Sequence, residues 1–227
     1  MKDSTRNIII GSSIFAGILV LFLATRRKLS RYKRDVVKTA NEEWARFGYT
    51  TIGKDGKYIK RGATEQQQGF YQRVGDYWKS VGQKLDGRDW EVPWSSAFIS
   101  WVMDKSGGRF GVPWTKSSAH ATYIREYIRN RKNGNLTAPF VAYRLNEKPA
   151  EVGDLVCYSR EGSDDKYDRT SNYKSHCDIV VAVKKGEIEV IGGNVGHSVT
   201  KRILPTDENG IVTATNKDWF AIIKNNV

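Results

Sequence analysis

Two cysteines in 227 residues are too few to hold a disulfide scaffold together. No C-x-x-C or H-E-x-x-H pair occurs, and the three histidines, His120, His176 and His197, are scattered. A zinc site therefore has no ligand spacing to rest on, and neither metal nor cofactor is expected. The phosphate-cradling patterns G-x-x-x-x-G-K-[ST] and G-x-G-x-x-G are also missing, which leaves nucleotide binding without support. Internal repeats and low-complexity linkers are absent. Acidic residues are in deficit, 25 against 37 Lys and Arg, a formal net charge of +12. Aromatic residues are plentiful. Seven Trp, eleven Tyr and eight Phe can bury a core, which excludes a disordered chain. The length suits one domain with an appendage.

A charge of +12 invites a polyanion partner, so its location matters. Residues 8–24 read IIIGSSIFAGILVLFLA, 17 residues without a charge. With Asn7 and Thr25 this reaches the length of a bilayer-spanning helix, and the following Thr25-Arg26-Arg27-Lys28 makes a poor signal-peptidase site. Residues 1–38 hold nine Lys/Arg and two Asp, a net +7, leaving +5 for the remainder. The excess charge thus flanks the apolar run and suits anionic lipid headgroups. Membrane lipids are the expected partner of residues 8–38, and no nucleic-acid partner is expected. The expected organisation is a tail over 1–7, a transmembrane helix over 8–25, a basic juxtamembrane segment over 26–35 and a folded domain over 36–227. The heavier positive charge on the C-terminal flank favours a cytoplasmic domain.

Apolar spacing predicts helices from about Asp35 to Phe47, from Glu65 to Val81, from Pro93 to Gly107 and from Ser118 to Arg131. Residues 49–64, rich in Gly and Lys, read as a loop or small hairpin. Short β-rich runs follow at 140–145, 155–159, 178–183, 187–191 and 198–204, separated by turn signals. Helices first and strands afterwards imply an α+β domain with antiparallel strands packed on the Ser95 helix.

Nucleophilic catalysis needs a nucleophile, a histidine to take its proton and a polar group to orient the histidine. Ser95 sits in the first turn of a buried helix, where free N–H groups and the helix dipole favour an oxyanion. His176 lies at the mouth of the strand DIVVAV, and Asn194 follows in Gly192-Gly193-Asn194. Asp178, two residues beyond His176, shares its face in a regular strand. Each has a plainer reading: Ser95 as an N-cap, His176 as a structural histidine, Asn194 as a turn former.

Order and spacing add to this reading. Ser95-Ser96-Ala97-Phe98-Ile99, Gly153-Asp154-Leu155-Val156, His176-Cys177-Asp178-Ile179-Val180 and Gly193-Asn194 resemble the motifs of the CHAP and NlpC types of papain-like amidases and peptidases. Those families carry Cys where this chain has Ser95. The run Pro93 to Met103, with His120 and Tyr123, Gly153 to Cys157, His176 to Val180, Gly192 to Val195 and Ser198-Val199, resembles more closely an uncharacterised bacterial and phage domain family within that group. This second resemblance covers roughly residues 36 to 227.

The resemblance implies a papain-like fold and a membrane-anchored hydrolase of peptide or amide bonds, with peptidoglycan as a candidate substrate. Ser95 would attack, His176 would carry the proton, and Asn194 or Asp178 would orient His176. Trp94, Ser96, His120 and Tyr123 are the candidate substrate-binding positions, although His120 also reads as core packed on Tyr123 and Tyr127. Asp154 reads as fixing a turn. Cys157 and Cys177 fall on strands adjacent in that fold and are expected as free buried thiols. Residues 166–174 form a polar insertion, a cleft rim or a solvated loop. The alternative function is a catalytically inactive wall- or peptide-binding module on the same fold. A wall hydrolase would face outward, against the charge asymmetry.

Overall fold

A computed structural model describes residues 29–107, 111–162 and 166–227. The expected membrane helix at 8–25 lies outside the described residues. Among those described, no helix is long and apolar enough to cross a membrane.

Among the described residues four helices, α1 (Arg31–Arg46), α2 (Phe70–Ser80), α3 (Ser95–Gly107) and α4 (His120–Lys132), pack with eight strands. The strands are β1 (Thr51–Ile52), β2 (Tyr58–Lys60), β3 (Phe140–Arg144), β4 (Leu155–Ser159), β5 (Ser175–Lys184), β6 (Glu187–Gly192), β7 (Thr200–Pro205) and β8 (Asp218–Asn225). They form one sheet in the order β2-β1-β7-β6-β5-β4-β8-β3. Among the described strands only the β1–β7 pair is parallel. The expected α+β class is therefore observed. The expected small hairpin at 49–64 is β1–β2. β8 was not foreseen, and it inserts between β4 and β3.

α3 is the hub. Ser95 to Ser100, Val102 and Met103 are all buried, and a helix buried on nearly every side belongs inside a core. α1 and α2 both pack against it. They are tied together by Glu43 of α1, buried at 3% exposure. Its carboxylate accepts two hydrogen bonds from Arg73 of α2, at 2.7 and 2.6 Å, and one from the Tyr77 hydroxyl. Burial alone would push this carboxyl up, but Arg73 and Tyr77 hold it below its usual value. A buried carboxylate needs such partners to stay charged.

The sheet separates two apolar clusters. Leu155, Cys157, Cys177, Ile179 and Ile191 face the helices, while Val156, Val180, Val190, Leu204 and Ile222 fill the opposite face, as period-2 alternation requires. Cys157 and Cys177 stand directly opposite each other in the β4–β5 register, with Cα atoms 4.1 Å apart, and are joined by a disulfide. This corrects the expectation of free thiols. Antiparallel pairing had already placed the two side chains together on one face. The bond closes the base of the 158–176 connection, and the loop-closure relation for that span corresponds to about 3 kcal/mol.

The domain starts earlier than composition indicated. α1 begins at Arg31, with the Ser30 hydroxyl capping the Lys33 N–H at 3.1 Å. Tyr32, inside the segment read as juxtamembrane, is 3% exposed, and its hydroxyl donates to the Met103 carbonyl at 3.4 Å. Basic residues line this first turn, but its tyrosine is core. Tyr32→Ala should cost about 3 kcal/mol, the usual size for deleting a buried aromatic ring. Urea unfolding of the full-length protein checks this, and an unchanged midpoint would place Tyr32 outside the folding unit.

Candidate active site

A cleft of about 530 Å³ opens where the N-termini of α3 and α4 meet the 158–176 connection. Ser95 and His120 lie on its floor, with Arg160, Asn172, Tyr173 and Lys174 along its rim. Part of the polar insertion at 166–174 is thus cleft wall. Ser95 is 2% and His120 4% exposed, so the two meet where little water reaches them. Ser95 Oγ lies 2.7 Å from His120 Nε2, within the range required of a nucleophile and its base.

Their positions follow from local structure. Pro93 precedes the start of α3, and Ser95 is its first residue. The N–H groups of Ser95, Ser96 and Ala97 have no acceptor among the described residues, as expected of a first helical turn. The serine oxygen therefore sits beside open donors at the positive end of a helix. His120 is the first residue of α4, and the helical i, i+3 relation stacks Tyr123 beside it. The second ring nitrogen of His120, Nδ1, is hydrogen-bonded to the Tyr123 hydroxyl.

Ser96 Oγ donates to the Ser117 carbonyl at 2.8 Å. The Ser95 and Tyr123 hydroxyls can each donate or accept, so the two contacts of His120 are compatible with either neutral tautomer. With the proton on Nδ1, the ring donates to Tyr123 and presents a lone pair to the Ser95 hydroxyl. With the proton on Nε2, the roles reverse. Burial pushes the Tyr123 phenol well above its ordinary range, so it keeps its proton at neutral pH. Burial first, then the neighbouring His176 and Arg160, hold His120 well below the ordinary histidine range. It is a neutral base at pH 7.

His176 does not take this role, which corrects the expected Ser95–His176 pairing. Alternation along β5 gives His176 and Asp178 the parity of Val180, not that of Cys177 and Ile179, which join the helix-packed core. Both ring nitrogens are engaged elsewhere. Nε2 lies 2.9 Å from Asp178 Oδ1, and Nδ1 lies 2.8 Å from Arg160 Nη2. Arginine only donates, so Nδ1 accepts and Nε2–H donates to Asp178. The ring is fully buried, packs on Tyr158 at 5.0 Å and reaches His120 at 5.1 Å between centroids. Burial lowers its pKa to about 4, outweighing Asp178. Asp178 also accepts from Arg202, which keeps it ionised despite burial. Asp178 therefore does share a face with His176, but it serves a buried charge array and not the serine.

Of the remaining positions, Trp94 is 1% exposed and stacks on Tyr77 and Phe47, with its indole N–H donating to Glu65 at 2.7 Å. It is core, not cleft lining. Tyr123 is hydrogen-bonded to His120, Ser96 is tied to the Ser117 carbonyl, and neither lines the cleft. Among the four expected substrate-binding residues only His120 lines the cleft. Asn194 adopts a left-handed conformation, φ 53°, in the turn after β6. It is no partner of His176, whose nitrogens are both occupied. Asp154 does fix a turn, accepting from the Glu151 N–H at 2.9 Å, and it pairs with Lys224 at 2.5 Å. Sequence reasoning missed Arg160 altogether and gave His120 a lesser role. The His120–Tyr123 spacing was the available signal. Among the described residues no group of three or more His, Cys, Asp or Glu could hold a metal.

The model of a bacterial family described as "Uncharacterized protein conserved in bacteria (DUF2272)" matches residues 63–224. The chain belongs to this family. The matched span includes Ser95, His120, Tyr123, Arg160 and His176. No curated protein and no solved structure matches the chain.

The two buried neutral histidines make a pH prediction. Each is held below its unfolded value, so between those limits the unfolded chain binds more protons. Stability should be level above pH 6.5 and fall as pH drops toward 4, with His176 alone accounting for about 3 kcal/mol. Urea midpoints at pH 7.5, 6 and 4.5 check this, and equal midpoints would mean that the histidines are not buried in neutral form.

Proposed function

We propose that this DUF2272 member is a hydrolase of peptide or amide bonds that uses Ser95 as nucleophile and His120 as general base. The observation that carries this reading is the 2.7 Å contact between Ser95 Oγ and His120 Nε2 at the N-terminus of α3 on a cleft floor. Seryl oxygen is a weak nucleophile without a base, and His120 acts as one in the tautomer that donates Nδ1–H to the Tyr123 oxygen and leaves Nε2 to accept from Ser95. His120 Nε2 takes the Ser95 proton as Oγ bonds to the substrate carbonyl carbon. The negative carbonyl oxygen is met by the open N–H groups of the first turn. His120 Nε2–H then protonates the departing amine, and the C–N bond breaks. A water molecule, deprotonated by His120, releases the acyl group and restores Ser95.

The motif resemblance to papain-like amidases supports amide chemistry and makes peptidoglycan stem peptides reasonable substrates. The departure from that pattern is twofold. Oxygen replaces sulfur, and the base comes from a helix instead of a strand. A binding cleft that does not cut is the second reading. It is favoured by Tyr123, a neutral group where a carboxylate would strengthen the base.

Full-length protein in detergent, treated with a fluorophosphonate and analysed by mass spectrometry, separates the two readings. Ser95 should be modified in wild type and no adduct should form in Ser95→Ala. His120→Gln should slow labelling by about 10²- to 10⁴-fold, the range of general-base effects. Tyr123→Phe, which removes the Nδ1–H acceptor, should slow it by about tenfold or more. Absence of labelling in wild type would leave the binding reading.

Where the domain works is part of the same proposal. Flanking charge favours the cytoplasm, but the Cys157–Cys177 disulfide supports an outward-facing domain, because such bonds persist in oxidising compartments. A C-terminal alkaline phosphatase fusion should be active, and protein isolated without reductant should show no reactive thiol after denaturation. An inactive fusion together with two free thiols would put the domain inside.

A further inference from the structure

The buried array of His176, Asp178 and Arg202 has no part in the proposed proton transfer, yet it ends on a cleft residue. Arg202 donates to Asp178, Asp178 accepts from His176 Nε2–H, and His176 Nδ1 accepts from Arg160 Nη2 at 2.8 Å. Three buried side chains thereby fix one edge of an exposed guanidinium. Arg160 lines the cleft and pairs with no carboxylate among the described residues. Lys174, joined to Arg160 by a backbone hydrogen bond of 2.9 Å, lines the cleft and likewise has no acidic partner there. Among the described residues the one acidic residue on the lining, Glu161, is paired with Arg169 at 3.7 Å. Among these residues the cleft presents unpaired positive charge beside the serine.

We propose that Arg160, held by His176, binds a carboxylate of the substrate lying within one residue of the bond that Ser95 attacks. This rests on the hydrolase reading and deepens it by naming the substrate class: peptides or amides with a free carboxylate close to the scissile bond. An arginine fork with one edge anchored keeps N–H groups free for a carboxylate. The distance fits, since Arg160 bonds to His176, whose ring lies 5.1 Å from that of His120. The electrostatics fit as well. The Arg160 charge is one of the influences that hold His120 down. A bound carboxylate would offset it and strengthen the base, so a neutral Tyr123 behind His120 suffices once the right substrate is present. The carboxylate could be a peptide C-terminus or an acidic side chain.

Four matched fluorophosphonates test this on the full-length protein. One pair ends in alanine or alaninamide, the other in glutamic acid α-amide or glutamine α-amide. In wild type at least one acid should label Ser95 about tenfold or more faster than its neutral partner, the usual size of a charge-assisted hydrogen bond. The pair that shows the advantage identifies the carboxylate source. In Arg160→Gln, at an exposed position, the acid-to-amide ratio should fall to near one. Equal rates within both pairs in wild type would overturn the carboxylate site while leaving Ser95 reactive. An advantage that persists in Arg160→Gln would remove Arg160 from it. Failure of all four to label would instead overturn the hydrolase reading.

Discussion

Gly192 and Gly193 set the distance at which the helix layer meets the end of β6, and the site is assembled across that contact. A Cβ on Gly193 would lie 2.5 Å from Phe98 Cβ and 2.7 Å from the Trp94 ring. A Cβ on Gly192 would run into the Asp178 carboxylate and stand 2.9 Å from His176 Nε2. Neither neighbour can yield: Phe98 and Trp94 are packed in the core, and Asp178 holds His176 and Arg202. Two residues without side chains therefore let the first turn of α3 press on the sheet. Interiors packed this closely transmit any extra methyl group as a shift of what lies beside it. Here that would be Ser95 on one side and the His176 array on the other.

Across this contact two histidines are held neutral by the same cause, burial, and the proposed mechanism gives them opposite ring protons. His120 must carry its proton on Nδ1, facing the Tyr123 oxygen, for Nε2 to accept from Ser95. His176 carries its proton on Nε2 because Asp178 accepts there and Arg160 donates to the other nitrogen. The first arrangement leaves a lone pair facing a hydroxyl. The second leaves a lone pair facing a guanidinium. One ring can activate a nucleophile, and the other can only position a cation. The burial that keeps both neutral also makes a charged imidazolium costly, which is why an anion near Arg160 matters to the proposed chemistry.

Much of this was legible in the amino-acid sequence. Pro93, the apolar spacing to Val102 and Gly107 marked α3 and put Ser95 at its start. The runs LVCYS and EIEVI marked β4 and β6 to within a residue. β8 was not legible, because its place between β4 and β3 depends on pairing that skips four strands in sequence to reach β3, and a bulge opposite Cys157 and Tyr158 interrupts its pattern. His176 was assigned the wrong partner for a physical reason. A motif fixes which strand carries a histidine, whereas the parity of Cys177 and Ile179 fixes the face, and only packing shows which face meets the helices. Gly192-Gly193-Asn194 looked like a motif ending in a catalytic amide, but its function lies in the glycines. Arg160 carried no signal, being one basic residue in a polar connection, and only the disulfide-closed strand pair brings it to the cleft.

The central claim is the direction of the hydrogen bonds through His120, and long-range ¹H–¹⁵N correlation of the histidine side chains reads it directly. At pH 7 His120 should show a protonated Nδ1 with a bare Nε2, and His176 the reverse. A proton on His120 Nε2 would mean that the ring donates to Ser95 instead of accepting from it, which would contradict the account.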